Sequence, residues 1–328
     1  MTMNTAPLSA NSWQYRALNT QTPGLDALSD ALLALVEQGE PVVAGTADLQ
    51  YSNGLAKFAQ HHPERFVQFG ISEQNMVSCA AGMAAVGMKP FVATFASFLP
   101  LLCCEQIRMD VAYSALPVRL IGHHAGISLG FYGTSHHATE DLAIMRAIAD
   151  ITIVAPADAN QLKAAIKASA NHPQPIYFRI QRGRDPVVYA EEPVFEFGKA
   201  TTLLTGDELT IIATGSTVHP ALQAAKALNA QGRSVGVLDM TTVKPLDVAA
   251  VLRVARESRA ILTVEEHNII GGLGGAVCEV IAEAGIGTRI RRHGIYDEYS
   301  LIAPPTHLYR HYKLDAEGIE SVARELID

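Results

Sequence analysis

Short apolar runs alternate with helix-length segments almost without a break from residue 25 onward, and this alternation restricts the fold more than any other feature of the chain. A helix from Leu25 to Glu37 leads to PVVAGTAD (41–48), RFVQFG (65–70), a helix that begins at Glu73, and PFVATFAS (90–97). A helix from Leu99 to Ala112, PVRLIGHH (117–124), a glycine-rich loop, a helix near 139–149, ITIVAPA (151–157), a helix at 158–171 and PIYFRI (175–180) complete this series. Short, continuous Val- and Ile-rich runs are strands buried on both faces, and strands of that kind separated by helices specify a mostly parallel sheet. A second series reads LTIIATGS (209–216), a helix near 218–230, SVGVLDM (234–240), AILTVEEH (260–267), GGLGGAVCEVIAEAG (271–285) and RIRRHGI (289–295). The Pro- and acid-rich stretch from Asp185 to Pro193 reads as a linker between the two. The expected architecture is α/β, with two doubly wound, mostly parallel domains at 25–190 and 191–328 behind an N-terminal extension of residues 1–24.

Composition narrows the function classes. A hydrophobic content of 48% against 18% charged residues supplies two cores and argues against disorder. The formal net charge of −8, with no basic stripe, disfavours a nucleic-acid partner. Lys89 and Pro90 interrupt the longest apolar run, so no membrane span is expected, and the polar N-terminus MTMNTAPLSANSWQYRALNT has no apolar signal core. Cys79, Cys103, Cys104 and Cys278 follow no metal or redox spacing and fit packed, reduced thiols. A cytoplasmic protein is the expectation.

In open parallel sheets, ligands sit beyond the carboxyl ends of the strands. That rule collects Asp48, Gly70 to Glu73, Phe95 to Phe98, His123, His124 and Arg179 along one edge. Glu73 opens a helix that carries no other charge until Lys89. Ser72 could cap that helix, and an acid in its first turn gains roughly 0.3–1 kcal/mol from the helix dipole, so Glu73 is either a helix-end residue or a working acid. Among GHHAGISLGFYGTSHHATED, His123 and His124 end a strand, while His136 and His137 follow a glycine-studded loop. Their spacing matches no common zinc pattern, which leaves loop packing or polar contact with a substrate. Phe95 and Phe98 close a strand either as core residues or as a platform for a flat heterocycle. GGLGG lacks the GxGxxG spacing of a dinucleotide fold and reads as a tight strand-to-helix turn.

GTADLQYSN, FGISEQNM, KPFVATFASF, TSHHATEDL and ITIVAPADANQ, in this order, closely resemble the pyrimidine-binding domain of transketolases, and IIATGS and TVEEH resemble the C-terminal domain of the same family. The resemblance covers roughly residues 25 to 328. It implies that Glu73 hydrogen-bonds the aminopyrimidine ring of thiamine diphosphate, favouring the imino tautomer whose exocyclic nitrogen removes the thiazolium proton. A carboxyl set against an apolar helix and an aromatic wall resists ionisation and so suits that role. The resemblance further implies that Phe95 and Phe98 pack around the pyrimidine, that Asp48 is an acid near the cofactor, and that His136 contacts donor oxygens. The neighbouring histidine position falls to His123 or His124. Ser52 and Arg179 match residues that hold a sugar phosphate, with Arg182 and Arg184 as further candidates, because the guanidinium fork suits phosphate.

Two departures from the family pattern stand out. Phe131 and Tyr132 replace an acidic pair before the histidine, and TQTPGLDALSD offers no further phosphate-binding arginine. The family's Gly-Asp-Gly…Asn segment, which holds magnesium and the diphosphate, has no counterpart in the sequence. The resemblance therefore implies a separate subunit carrying the diphosphate-binding domain, with magnesium and diphosphate held mainly there. By family analogy two of each chain form a heterotetramer, which moves a two-carbon ketol unit between sugar phosphates. A 1-deoxy-D-xylulose 5-phosphate synthase-like enzyme, a 2-oxo acid dehydrogenase beta subunit and a non-catalytic scaffold are the alternatives.

Overall fold

A computed structural model of the chain describes residues 24–182 and 185–328. The expected N-terminal extension up to residue 23, and Arg184, lie outside the described residues. The strands are β1 (Val42–Thr46), β2 (Phe66–Gln68), β3 (Lys89–Phe95), β4 (Arg119–His123), β5 (Thr152–Val154) and β6 (Ile176–Arg179), then β7 (Thr201–Leu204), β8 (Leu209–Ala213), β9 (Val235–Asp239), β10 (Thr242–Lys244), β11 (Ala260–Asn268) and β12 (Arg289–Ile295). The helices are α1 (Gly24–Glu37), α2 (Ala56–His61), α3 (Glu73–Ala85), α4 (Leu99–Leu102), α5 (Cys104–Gln106) and α6 (Asp141–Ala147). The remaining helices are α7 (Ala159–Ser169), α8 (Val218–Asn229), α9 (Val248–Glu257), α10 (Leu273–Glu283), α11 (Pro305–His311) and α12 (Ala316–Ile327).

They form a seven-stranded sheet ordered β10-β5-β6-β4-β3-β1-β2 and a five-stranded sheet ordered β12-β11-β8-β9-β7. Pairings within β1 to β6 are all parallel, as are those of β8 with β9 and β11 and of β11 with β12. The expected two-domain, mostly parallel α/β architecture is the one observed, with an antiparallel strand at one edge of each sheet.

Burial on both faces explains the unbroken apolar runs. Side chains alternate across a strand. In β3, Phe91 and Ala93 join Leu28, Leu32 and Phe178 on one face, while Val92 packs with Met76, Val77 and Ala80 of α3 on the other. The segment expected as one helix from Leu99 to Ala112 is instead α4, α5 and a π-helical turn at Ile107–Ala112. Leu99, Cys103, Ile107 and Val111 are all fully buried. A four-residue spacing drifts by about 40° per step around a 3.6-residue helix, and the break at Cys103 with the wider π turn keeps all four on one side. Among the described residues no helix is long and apolar enough to cross a membrane.

Sequence patterning missed β7 and β10. β7 lies at a sheet edge, half exposed, and so lacks an apolar signature. β10 belongs by sequence to the second domain, yet it pairs antiparallel with β5 of the first sheet.

Candidate active site

The order of the first sheet reverses direction between β1 and β3, since the chain passes from β1 outward to β2 and then back across β1 to β3. A crevice beyond the carboxyl ends of strands at such a reversal is where open α/β sheets hold ligands. Glu73 lies there, only 8% exposed, and Thr94 Oγ1 at the end of β3 donates to its Oε1 at 3.3 Å. The Ser72 side chain makes no cap bond, so the expected cap is absent, and only the Ser72 carbonyl serves the helix by accepting from Met76 N–H. Cys103 is fully buried nearby, its thiol pushed up to about 12 by burial and then by the charge of Glu73.

Beyond the end of the same strand, β3, stands a wall of rings. The Phe95 and Phe98 centroids are 5.6 Å apart. His124 meets Phe95 edge-on at 4.8 Å, and His136 meets Phe98 at 5.2 Å and Phe95 at 5.9 Å. Tyr132 closes on His136 at 4.9 Å. Edge-to-face pairs of this kind are favoured by the ring quadrupoles. Ser135 Oγ and His136 Nδ1 are hydrogen-bonded at 2.9 Å. His123 is hydrogen-bonded to His124 through their Nδ1 atoms, and burial, aided by the charge of Arg182, pushes it down to about 3. His123 is therefore uncharged at any working pH. His124 has φ +59°, a left-handed backbone costly for a residue with a Cβ, which turns the chain sharply out of β4.

Asp48 is exposed at the end of β1, also with positive φ, and its N–H donates to Gln68 Oε1 at 2.6 Å. The same Gln68 oxygen accepts from Gly70 N–H at 3.3 Å. Gln68 thus ties the Asp48 turn to the loop entering Glu73, a role that sequence reading missed, although a polar residue closing a strand at this edge was its signal. Ser52 is half-buried beside Asn53, which is fully buried and donates to Thr46 Oγ1 at 2.7 Å. Asn53 Oδ1 and Ser97 Oγ are among the buried polar atoms of the described residues that have no protein partner. Orphaned groups of this kind call for a ligand or water. A buried carboxyl, a wall of half-buried rings and unsatisfied polar atoms fit a flat heterocycle bearing ring nitrogens. Among the described residues no group of three or more His, Cys, Asp or Glu converges as a cation site.

Arg179 does not join this cluster. It is 1% exposed; Nε donates to Asp141 Oδ2 at 2.8 Å, and Nη2 donates to the carbonyls of Ala138 (3.1 Å) and Glu266 (2.8 Å). Tyr177 OH donates to the same Asp141 oxygen at 2.8 Å. Burial works against its charge, but Asp141 and Glu266 outweigh it and hold the guanidinium above its ordinary value. The sugar-phosphate role expected of Arg179 meets a guanidinium already committed to joining the domains. Arg182, half-buried and felt by His123, is the basic side chain beside the histidine pair.

The second sheet reverses between β8 and β11, and the chain fills that crevice itself. Glu266 accepts from Ile127 N–H at 2.7 Å, from Tyr309 OH at 2.8 Å and from Ser216. Glu265 accepts from the N–H groups of Leu273 (2.7 Å) and Gly274 (2.8 Å) at the start of α10. A Cβ at Gly272 would lie 1.9 Å from Glu265 Oε2, so GGLGG is the tight turn expected, and a carboxylate of the chain holds its anion position. Burial, only partly offset by those two hydrogen bonds, pushes Glu265 up to about 7. An unfolded Glu titrates near ~4.3, so this carboxyl favours folding most below that pH and loses its contribution as pH rises through about 7. Glu265→Gln, with no charge to bury, is expected to gain stability relative to the native chain from about pH 5 to about pH 8, by at most roughly 1.4 kcal/mol per unit. Urea midpoints of both proteins across that range check this, and a constant difference contradicts it.

Comparison with known proteins agrees with this layout. Residues 23–186 match the transketolase pyrimidine-binding domain and residues 198–319 the transketolase C-terminal domain. The chain is 41% identical over 303 residues to one subunit of the apulose-4-phosphate transketolase of Phocaeicola vulgatus, covering 92% of this chain and 96% of that one. It is 36% identical over 301 residues to 1-deoxy-D-xylulose-5-phosphate synthase 1 of Geobacter sulfurreducens, spanning 91% of this chain and 47% of that protein. Its fold is similar to that of a split gene transketolase solved as an inactive beta4 tetramer, with TM-score 0.86 and 37% identity over 93% of this chain and 98% of the other. Two matched domains in sequence order and relatives aligned almost end to end establish that the chain belongs to the transketolase family.

Proposed function

We propose that the chain is the pyrimidine-binding subunit of a two-subunit, thiamine diphosphate-dependent transketolase that passes a two-carbon ketol unit between sugar phosphates. The observation that carries this reading is the buried Glu73 carboxyl, bonded by Thr94 at the end of β3, with Phe95 and Phe98 from the same strand end forming a ring cluster with His124 and His136. When bound, the cofactor supplies the centre that accepts and stabilises the transferred carbanion. Glu73 would offer its carboxyl to the pyrimidine as the proton-exchanging group, with Thr94 Oγ1 donating to one of its oxygens. Phe95 and Phe98 would pack against the ring and help to exclude water. His136 and His124 face donor oxygens, and Asp48 lies at the rim near the cofactor. Ser52 and Arg182 are the groups on this edge suited to a substrate phosphate.

A separate subunit supplies the diphosphate-binding domain together with magnesium, two of each chain assemble, and the protein works in the cytoplasm. In support, a relative aligned over 96% of its length is named as a subunit of a transketolase acting on apulose 4-phosphate. Ketose phosphates, branched or linear, are the donor class. The likeness to 1-deoxy-D-xylulose-5-phosphate synthase keeps one second reading, in which pyruvate is the donor. The test mixes the purified chain with its diphosphate-binding partner, thiamine diphosphate and magnesium, and offers a ketose phosphate or pyruvate with an aldose acceptor. Ketol transfer from the ketose supports the proposal; carbon dioxide release from pyruvate alone supports the second reading.

The stacking role of the wall is tested at Phe98. Phe98→Ala is expected to weaken cofactor binding by the assembled pair about two- to tenfold, the worth of one aromatic contact. Calorimetric titration with thiamine diphosphate measures it, and an unchanged affinity removes Phe98 from the site.

A further inference from the structure

The loop that carries His136 is held from outside its own domain. At its base, Ile127 N–H donates to Glu266 on β11, and Gly126 makes room for that carboxyl, since a Cβ there would lie 2.2 Å from Glu266 Cδ. On its returning arm, His137 is 3% exposed and its Nδ1 is hydrogen-bonded to the Ser300 hydroxyl. Thr134 Oγ1 also donates to the Ser300 carbonyl at 3.2 Å. Gly133, with φ +68°, lets Ile302 approach to within 2.6 Å of where a Cβ would stand.

The segment around Ser300 does little else. Tyr299, Leu301 and Ile302 are 76%, 53% and 69% exposed, whereas Ser300 is 6% exposed. Its backbone is fixed in turn, because Leu301 N–H donates at 2.9 Å to the hydroxyl of Tyr312, a buried residue that ends α11. One inserted serine on a mostly exposed segment adds little to the core, yet its hydroxyl bonds the residue next to His136 and its carbonyl accepts from the one two positions before it.

We propose that Ser300 is a positioning residue of the candidate active site, setting the place of the His136 imidazole through its bonds to His137 and Thr134. The C-terminal domain then acts on the chemistry of the first domain without touching substrate. The functional weight of this rests on the reading of His136 as a donor contact.

The test uses the full chain with carbon-13-labelled histidine, and a His136→Gln variant identifies the His136 resonance. Ser300→Ala is expected to move that resonance away from its native position. Amide exchange across residues 128–138 is expected to quicken roughly tenfold, with exchange in β8 unchanged. Ser300→Thr, which keeps a hydroxyl, is expected to restore the native resonance. A His136 signal that stays native in Ser300→Ala overturns the proposal, whether or not the loop exchanges faster. Should Ser300→Ala not fold, Thr134→Val decides by the same two readouts. No cofactor or ketol transfer is measured, so the outcome stands apart from whether the assembled pair is a transketolase.

Discussion

Glu73→Ala is expected to lower kcat for ketol transfer by the assembled pair about 10²- to 10⁴-fold, the range associated with loss of a positioned proton donor. The fold should barely register the change. Among the described residues the carboxyl accepts one long hydrogen bond, 3.3 Å from Thr94. The urea midpoint is therefore expected to move by no more than about 1 kcal/mol of stability. Glu73→Gln separates proton transfer from packing, because an amide fills the same space and hydrogen-bonds but cannot exchange a carboxyl proton. It should lose nearly as much activity as alanine. A kcat within about twofold of native in both variants would remove Glu73 from the chemistry, since proton-transfer roles are worth far more than that.

Arg179→Met gives the opposite profile. Asp141 is 2% exposed, and removal of the guanidinium leaves its carboxylate buried with the Tyr177 hydroxyl bond and an uncharged His267 ring 3.9 Å away. Breaking one side of a buried ion pair costs on the order of 3–5 kcal/mol, because the remaining charge is uncompensated. The same change frees the carbonyls of Ala138 and Glu266, which lie in different domains. A large drop in the urea midpoint is expected. A native midpoint with a raised KM for sugar phosphate would instead return Arg179 to the substrate.

These two residues mark what the sequence could and could not tell. Unbroken apolar runs such as PFVATF located the strands because both faces of each sheet are covered, and the strand-end rule and the family resemblance named Phe95, Phe98, His124 and His136, whose rings the structure brings into contact. Arg179 ends a strand on the same edge, so nothing local separates it from a ligand-binding arginine. Its commitment depends on Asp141 and Glu266, 38 and 87 residues away. The acids of TVEEH are similar. Their role as internal anions appears only when the Gly272 turn and Ile127 arrive from elsewhere in the chain. Ser300 gave no signal, since its place in the irregular loop between β12 and α11 has no periodicity to read.

The strand at residues 242–244 has a consequence for how such a protein can be divided. Because it crosses from the second sheet's territory to zip onto Ile153 and Val154, scissors applied near residue 190 would strip the first half of an edge and leave a row of unpaired amides and carbonyls open to neighbouring molecules. A gene split can then fall outside these two units but not between them, and a fragment ending at the linker should clump where the intact chain stays dispersed.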